Sequence, residues 1–149
     1  VKLLFLDFDG VLNSKEFCKR VPQRGVIGLD RLAVLRVNEI VRRTGCKIVI
    51  SSVHRYGQTV VQLQRRLSRL GLKSKTVIGK TPAPKDGRER GLEIQEWIDS
   101  QPVGTVSSLC ILDDDADMAH LKHRLVQTTF EHGLQEEHVE RVVDMLNET

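Results

Sequence analysis

Apolar residues fall along this chain in two alternating rhythms. Short unbroken runs at residues 2–6, 46–50 and 108–112 each break off at small or acidic polar groups: Asp7-Phe8-Asp9-Gly10, Ser51-Ser52 and Asp113-Asp114-Asp115. Runs of this kind predict strands buried on both faces, as in a parallel sheet covered by helices, and their polar ends predict function at the carboxyl edge. Residues 76–78 and 125–127 are weaker strand candidates.

Between the runs the spacing becomes helical. Leu29, Leu32, Leu35 and Ile40 share a face, with Gly45 placed to end that helix; Val60, Leu63, Leu67 and Leu70 follow three-four-three spacing and stop at Gly71. Leu92, Ile94, Trp97 and Ile98 predict a third helix, with Trp97 in the core, and Val139, Val142, Val143 and Leu146 a last one. A short helix is expected at 116–121, and His132-Gly133-Leu134 reads as a turn. Strands alternating with helices predict an α/β fold: a single Rossmann-like, doubly wound domain over residues 1–149, with a mainly parallel central sheet. Residues 79–87 read as a loop rather than a domain linker, since too little chain follows to build a second core.

Composition narrows the class. The 149 residues are 40% hydrophobic and 29% charged, with no biased tract, which fits a globular domain with a true core and excludes a disordered or fibrous chain. No apolar run approaches the roughly 20 residues that span a bilayer, so membrane insertion is not expected and the location reads as cytoplasmic. Cys18, Cys46 and Cys110 are widely separated and outside any C-x-x-C, which supports neither a disulfide framework nor a zinc knuckle. The net charge of +3 conceals an asymmetry: residues 1–64 hold 11 Lys/Arg against 5 Asp/Glu, residues 65–90 hold 9 against 2, and residues 91–149 hold 3 against 13. Such separation can set a basic surface beside an acidic cluster, although a charge run is more often a solvated helix face.

Chemistry concentrates first in Asp7-Phe8-Asp9-Gly10-Val11-Leu12-Asn13. Two carboxylates at i and i+2 on an extended segment project to the same side, and Gly10 lets the chain turn beyond them. A turn whose aspartates cap a helix is the structural alternative. Further along, Ile48-Val49-Ile50 runs into Ser51, Arg90 opens a helical stretch, and Ile111-Leu112 runs into Asp113-Asp114, with Asp117 close behind. In that order and spacing the four segments resemble the motifs of the haloacid dehalogenase superfamily of phosphohydrolases. With Ser51-Ser52-Val53-His54-Arg55, the stretch from Arg90 to Trp97 and the residues from Thr128 to Leu134 added, the chain is similar to the small branch found in Swiss Army Knife RNA repair proteins. That branch favours a Trp where this chain has His54.

The resemblance implies two-step phosphoryl transfer through an aspartyl phosphate. Asp7 is the expected nucleophile and Asp9 the expected general acid and base. Ser51, Ser52 and Arg90 are expected to bind the phosphoryl oxygens, while His54 and Arg55 border the substrate. Mg²⁺ is the implied cofactor, held by the Asp7 carboxylate, the Asp9 main-chain carbonyl and the Asp114 carboxylate, with Asp113 in support and Asp117 a weaker candidate. Asp115 and Asp117 could equally cap the helix at 116–121. A calcium loop over Asp113-x-Asp115-x-Asp117 fails, because its sixth position is Met118 and its twelfth Arg124. His120 and His123 sit three apart, but no third ligand follows closely, so they read as surface residues.

Asp9 favours phosphate esters over halides, since a halide leaves without a proton. Only 37 residues separate Asn13 from Ser51, and one helix uses many of them, so no substantial cap domain is expected. An open site suits a phosphate carried on a large molecule such as a nucleic-acid end, a 3′-phosphate in RNA or DNA repair being the favoured case. Arg65, Arg66, Arg69, Lys73, Lys75, Lys80, Lys85, Arg88 and Arg90 form a basic block able to track a nucleic-acid backbone, if they are not merely solvated. The chain also reads as one module of a larger repair protein. A phosphatase of a small metabolite or phosphoprotein, or a non-catalytic domain that holds a phosphate or a nucleic-acid end, are the competing readings.

Overall fold

Five strands pair in parallel in the order β3-β2-β1-β4-β5: β1 Lys2–Leu6, β2 Lys47–Ile50, β3 Val77–Lys80, β4 Ser108–Asp113 and β5 Leu125–Gln127. The structure is a computed structural model that describes residues 1–25, 27–83 and 87–148. The helices are α1 Lys15–Arg20, α2 Arg31–Thr44, α3 Val60–Arg69, α4 Arg90–Asp99 and α5 Glu136–Leu146, with 3₁₀ turns at Val53–Arg55 and Ala119–Arg124. From the central β1 the chain winds outward through β2 and β3, then crosses back to β4 and β5. The strand order therefore reverses between β1 and β4, where the carboxyl edge of an open α/β sheet leaves a crevice.

The unbroken apolar runs follow from burial on both faces. Leu4, Leu6, Ile48, Ile50, Cys110 and Leu112 join one core with residues of α2, α3 and α5. Leu3, Phe5, Val49 and Ile111 join the other with Ile94, Met118 and Leu121. Each such side chain taken from water contributes about 1.5–3 kcal/mol, which offsets the cost of ordering the strand. Trp97 packs its ring edge-on to Phe5 at 5.8 Å, as a partly buried member of the second core. Cys46 and Cys110 are fully buried in the first core as free thiols, and burial raises the pKa of both.

Several expectations are corrected. In α2 the buried stripe is Ala33, Val34, Val37, Ile40 and Thr44, while Leu32 and Leu35 are exposed. Asp30 caps the helix: its side chain accepts from Leu32 N, and the first helical residue is Arg31. Gly45 does end it, in the left-handed conformation. The third strand reaches Lys80, two residues beyond its expected end, since Gly79 pairs with Val49 and carries no Cβ to strike the Trp97 ring. Residues 114–118 are irregular, and the helical turn expected at 116–121 lies instead at Ala119–Arg124 as 3₁₀. Between β1 and β2 the described residues form only α1 and α2, so no substantial cap stands over the carboxyl edge. No helix among the described residues is long and apolar enough to cross a membrane.

Candidate active site

Three adjacent strands deliver the first group of residues. Leu6 pairs with Ile50 on one side and with Leu112 on the other, so Asp7, Ser51 and Asp113 are the next residues at neighbouring strand ends. Asp7 N donates to Leu112 O at 3.0 Å and Ser51 N to Leu6 O at 3.0 Å, which carries the register one step past the strands. Beyond Asp7 the chain turns at Gly10, whose φ is +81° and whose missing Cβ would lie 2.1 Å from Asp114 Oδ2. Only glycine meets both conditions. Asn13 ties the turn by accepting from Gly10 N at 2.9 Å and donating to Asp9 Oδ1 at 2.8 Å. Thr128, just after β5, donates to Gly10 O at 2.6 Å.

Asp7, Asp113 and Asp114 each offer a carboxylate oxygen within 4.8 Å of the others. Burial raises Asp7 to about 8, with the Asp113 charge adding to it and Arg90 opposing. Burial and Asp113 likewise raise Asp114 to about 6. Crowded, partly desolvated carboxylates of this kind fit a hard divalent cation with oxygen ligands, Mg²⁺ among them. Asp113 is fully buried, and its two oxygens already accept from Arg90 at 2.7 Å and from Asp115 N at 2.9 Å. Asp117 stands outside the cluster. Its Oδ2 accepts weakly from Arg90 N at 3.4 Å, and its main-chain oxygen accepts from Gly91 N at 3.1 Å. Asp117 therefore anchors the start of α4, and Asp115 accepts from Ala116 N; neither caps the expected helix at 116–121.

Arg90 reaches the cluster because α4 is pressed against this loop. A Cβ on Gly91 would lie 2.0 Å from Met118 O, so glycine is needed for that approach. Arg90 Nη1 then lies 3.4 Å from Asp7 Oδ1 and 2.7 Å from Asp113 Oδ2. Burial alone would weaken its charge, but Asp113 and Asp7 raise its pKa above the ordinary arginine value. On the other side of Asp7, the Ser51 hydroxyl is fully buried and has no hydrogen-bond partner among the described residues. An orphan donor at a strand end beside a buried carboxylate is poised for an incoming acceptor.

Asp9 is half-exposed and turns away from the cluster. His54 Nε2 lies 3.1 and 3.2 Å from its two carboxylate oxygens, while Arg66 Nη1 donates to His54 Nδ1 at 2.9 Å. Since Arg66 can only donate, the ring carries its proton on Nε2 and donates that N–H to Asp9. The chain of contacts Arg66–His54–Asp9 is walled by Phe8, whose ring packs against His54 at 5.3 Å and lies under the Arg66 guanidinium at 5.4 Å.

One sequence expectation changes role and another gains one. Arg55 is 2% exposed, and its guanidinium donates to the carbonyls of Ser51, Ser52, Thr81 and Pro82 and pairs with Glu93 Oε1 at 3.1 Å. With its donors engaged inside the protein, Arg55 is a tie between segments and not a substrate contact. Ser52 is buried, and its hydroxyl oxygen accepts from His54 N at 3.2 Å to begin the 3₁₀ turn, a capping role that the sequence did not suggest and that leaves its O–H donor uncommitted. Sequence reading missed Asn13, Thr128 and Glu93 as supports, and missed the specific partnership of Arg66 with His54. The basic block also divides. Lys80 donates to Gln58 O at 2.7 Å, Arg88 pairs with Glu96, and Lys85 lies outside the described residues. Arg65, Arg69, Lys73 and Lys75 are exposed. His120 is exposed and bonds Gln95, and His123 bonds the His120 carbonyl, so neither enters a metal group among the described residues.

The family model for the HAD domain in Swiss Army Knife RNA repair proteins matches residues 3–139 of the chain. A search of curated proteins and a search of solved structures find no match.

Proposed function

We propose, from the premise that the chain belongs to the family of HAD domains in Swiss Army Knife RNA repair proteins, that it is a Mg²⁺-dependent phosphomonoesterase acting on nucleic-acid terminal phosphates. The observation that carries the reading is the buried Asp7 carboxylate, flanked by Arg90 and by the Asp113 and Asp114 oxygens within 4.8 Å. In the first step an Asp7 oxygen attacks phosphorus, a P–O bond to the substrate breaks, and Asp9 gives its proton to the departing oxygen. In the second step Asp9 takes a proton from water, which attacks the aspartyl phosphate and releases inorganic phosphate and Asp7. Ser51 and Arg90 donate to the phosphoryl oxygens, and Arg90 turns part of its charge from Asp7 to the transferred group. His54, fixed by Arg66, holds Asp9 in the orientation that both proton transfers need. The Asp7 and Asp114 carboxylates and the Asp9 carbonyl would hold Mg²⁺, with Asp113 in support; the ion supplies charge neutralisation, so that a dianionic phosphate can approach ionised Asp7.

The test is Mg²⁺-dependent phosphate release from p-nitrophenyl phosphate and from a 3′-phosphorylated oligonucleotide, by the chain and by Asp7→Asn. Turnover of both by the chain, with loss of about a thousandfold or more in Asp7→Asn, is expected. No turnover of either substrate would leave phosphate binding without catalysis. Turnover of the aryl phosphate alone would remove the nucleic-acid assignment and keep the phosphatase.

A further inference from the structure

We infer that the outer face of α3 carries a second phosphate-binding site, which receives a phosphate belonging to the leaving group. Gln62, Arg65, Arg66 and Arg69 stand at i, i+3, i+4 and i+7 on α3, opposite the buried Leu63 and Leu67. With Gln58 they line an open groove of about 320 Å³. Its wall holds three guanidiniums and two amides, with no acidic side chain. Arg65 and Arg69 are exposed and enter no ion pair among the described residues. Like charges three and four positions apart on a helix repel one another, so this stripe is unfavourable until an anion meets it.

The position of the groove gives that anion an identity. Arg66 belongs to both places: it lines the groove and donates to His54, whose Nε2 lies 3.1 Å from Asp9. One imidazole ring thus separates the groove from the residue that must protonate the leaving oxygen. In-line displacement puts that oxygen opposite Asp7 and within reach of Asp9, so the body of the leaving group emerges past Asp9. The arginines of α3 are the cationic surface adjoining that exit. A leaving group that bears its own phosphate fits it, and the chemical class is a nucleoside, or the end of a polynucleotide, with a second phosphate on the sugar that carries the scissile ester. Glutamine amides beside the arginines supply uncharged donors to the same oxygens. This site rests on the phosphatase reading above and adds a preference to it.

The experiment compares Mg²⁺-dependent hydrolysis of p-nitrophenyl phosphate, a nucleoside 3′-monophosphate and the corresponding nucleoside 3′,5′-bisphosphate by the full chain. The ratio of kcat/KM for bisphosphate over monophosphate is expected to be about tenfold or more, a gain of the size of a charge-assisted hydrogen bond. It should fall toward one in Arg65→Gln/Arg69→Gln, where both replaced side chains are exposed and the fold is expected to stand. Lys122→Gln/Arg141→Gln removes the same charge from other faces and should keep the ratio. A ratio near one in the unaltered chain, or one that survives in Arg65→Gln/Arg69→Gln, overturns the second site while aryl phosphate turnover leaves the phosphatase intact. Failure to hydrolyse any of the three overturns both. Calorimetric titration of the bisphosphate into Asp7→Asn, with and without the two α3 replacements, gives a binding readout independent of turnover; equal affinities would also overturn the site.

Discussion

His54 illustrates how much of this site depends on single side chains meeting across the sequence. It is 45 residues from Asp9 and 12 from Arg66, and its two nitrogens are divided between them. Reading along the chain could mark His54 as a neighbour of Ser51, but not its partners, since nothing in local spacing encodes a contact between a strand-end loop and α3. Asp7, Ser51, Arg90 and Asp114 were legible through the resemblance of their four segments to a known set of motifs, while the apolar runs by themselves predicted only that the strand ends meet at one sheet edge. If His54 orients Asp9 for proton transfer, its value should track how badly the leaving group needs a proton. His54→Phe is expected to lower kcat on the order of tenfold to a hundredfold for an alkyl phosphate and less than threefold for p-nitrophenyl phosphate. His54→Gln, which keeps a donor, should recover part of the difference. Equal losses on both substrates would make the ring a packing residue only.

At the scale of elements, Arg55 joins three pieces that the strands alone do not fix. It bonds the end of β2 through Ser51 O, the segment after β3 through Thr81 O and Pro82 O, and α4 through Glu93. Burial weakens both charges of the pair, raising Glu93 and lowering Arg55 from their ordinary values, while each partner opposes the shift in the other. Removing the arginine deprives buried Glu93 of its hydrogen-bonded partner, leaving only the more weakly acting charges of Arg90 and Arg88, and strips several carbonyls of their donor. Arg55→Met is therefore expected to destabilise the chain by about 3–5 kcal/mol, and Arg55→Met/Glu93→Leu by distinctly less. Urea unfolding at constant m-value measures both; a single-variant loss below about 1 kcal/mol would refute the tie. Elements with long apolar patterns were readable in advance, as α3 shows with its three-four-three spacing and its stop near Gly71; the Thr59–Gln62 capping box that starts it emerged only in the structure. The six-residue α1 was not, because it buries only Phe17 and is started by the Ser14 hydroxyl accepting from Phe17 N. In α2 the stripe that packs inward is Ala33, Val34, Val37 and Ile40, while the bulkier Leu32 and Leu35 named from the sequence stay exposed.

Across the whole molecule, the parallel sheet concentrates acidic residues where its strand order reverses, and this couples the fold to pH. Asp7 moves from the usual carboxylate value of 3.8 up to about 8, mainly through burial. Asp114 moves from 3.8 up to about 6 for the same leading reason. Over those windows the folded chain holds protons that the unfolded chain has released. Stability therefore falls as pH rises, first through the Asp114 window and then on toward pH 8 as Asp7 is forced to ionise. A divalent cation binds the ionised cluster and not the protonated one, so its stabilising effect should grow in the direction in which the metal-free chain weakens. The thermal midpoint of the metal-free chain is expected to fall by several degrees between pH 5 and 8.5. Mg²⁺ at about a hundred times its dissociation constant should restore about 2.7 kcal/mol at the upper end, roughly 5 to 11 °C for a chain of this size, and little at the lower. Asp7→Asn should flatten most of the metal-free slope, because it removes the group whose ionisation is resisted. Calorimetric melting with chelator and with Mg²⁺ makes the comparison. A midpoint that rises with pH in chelator, or an equal Mg²⁺ effect at both ends, would mean that the acidic cluster is not strained by its own charge and is not where the cation binds.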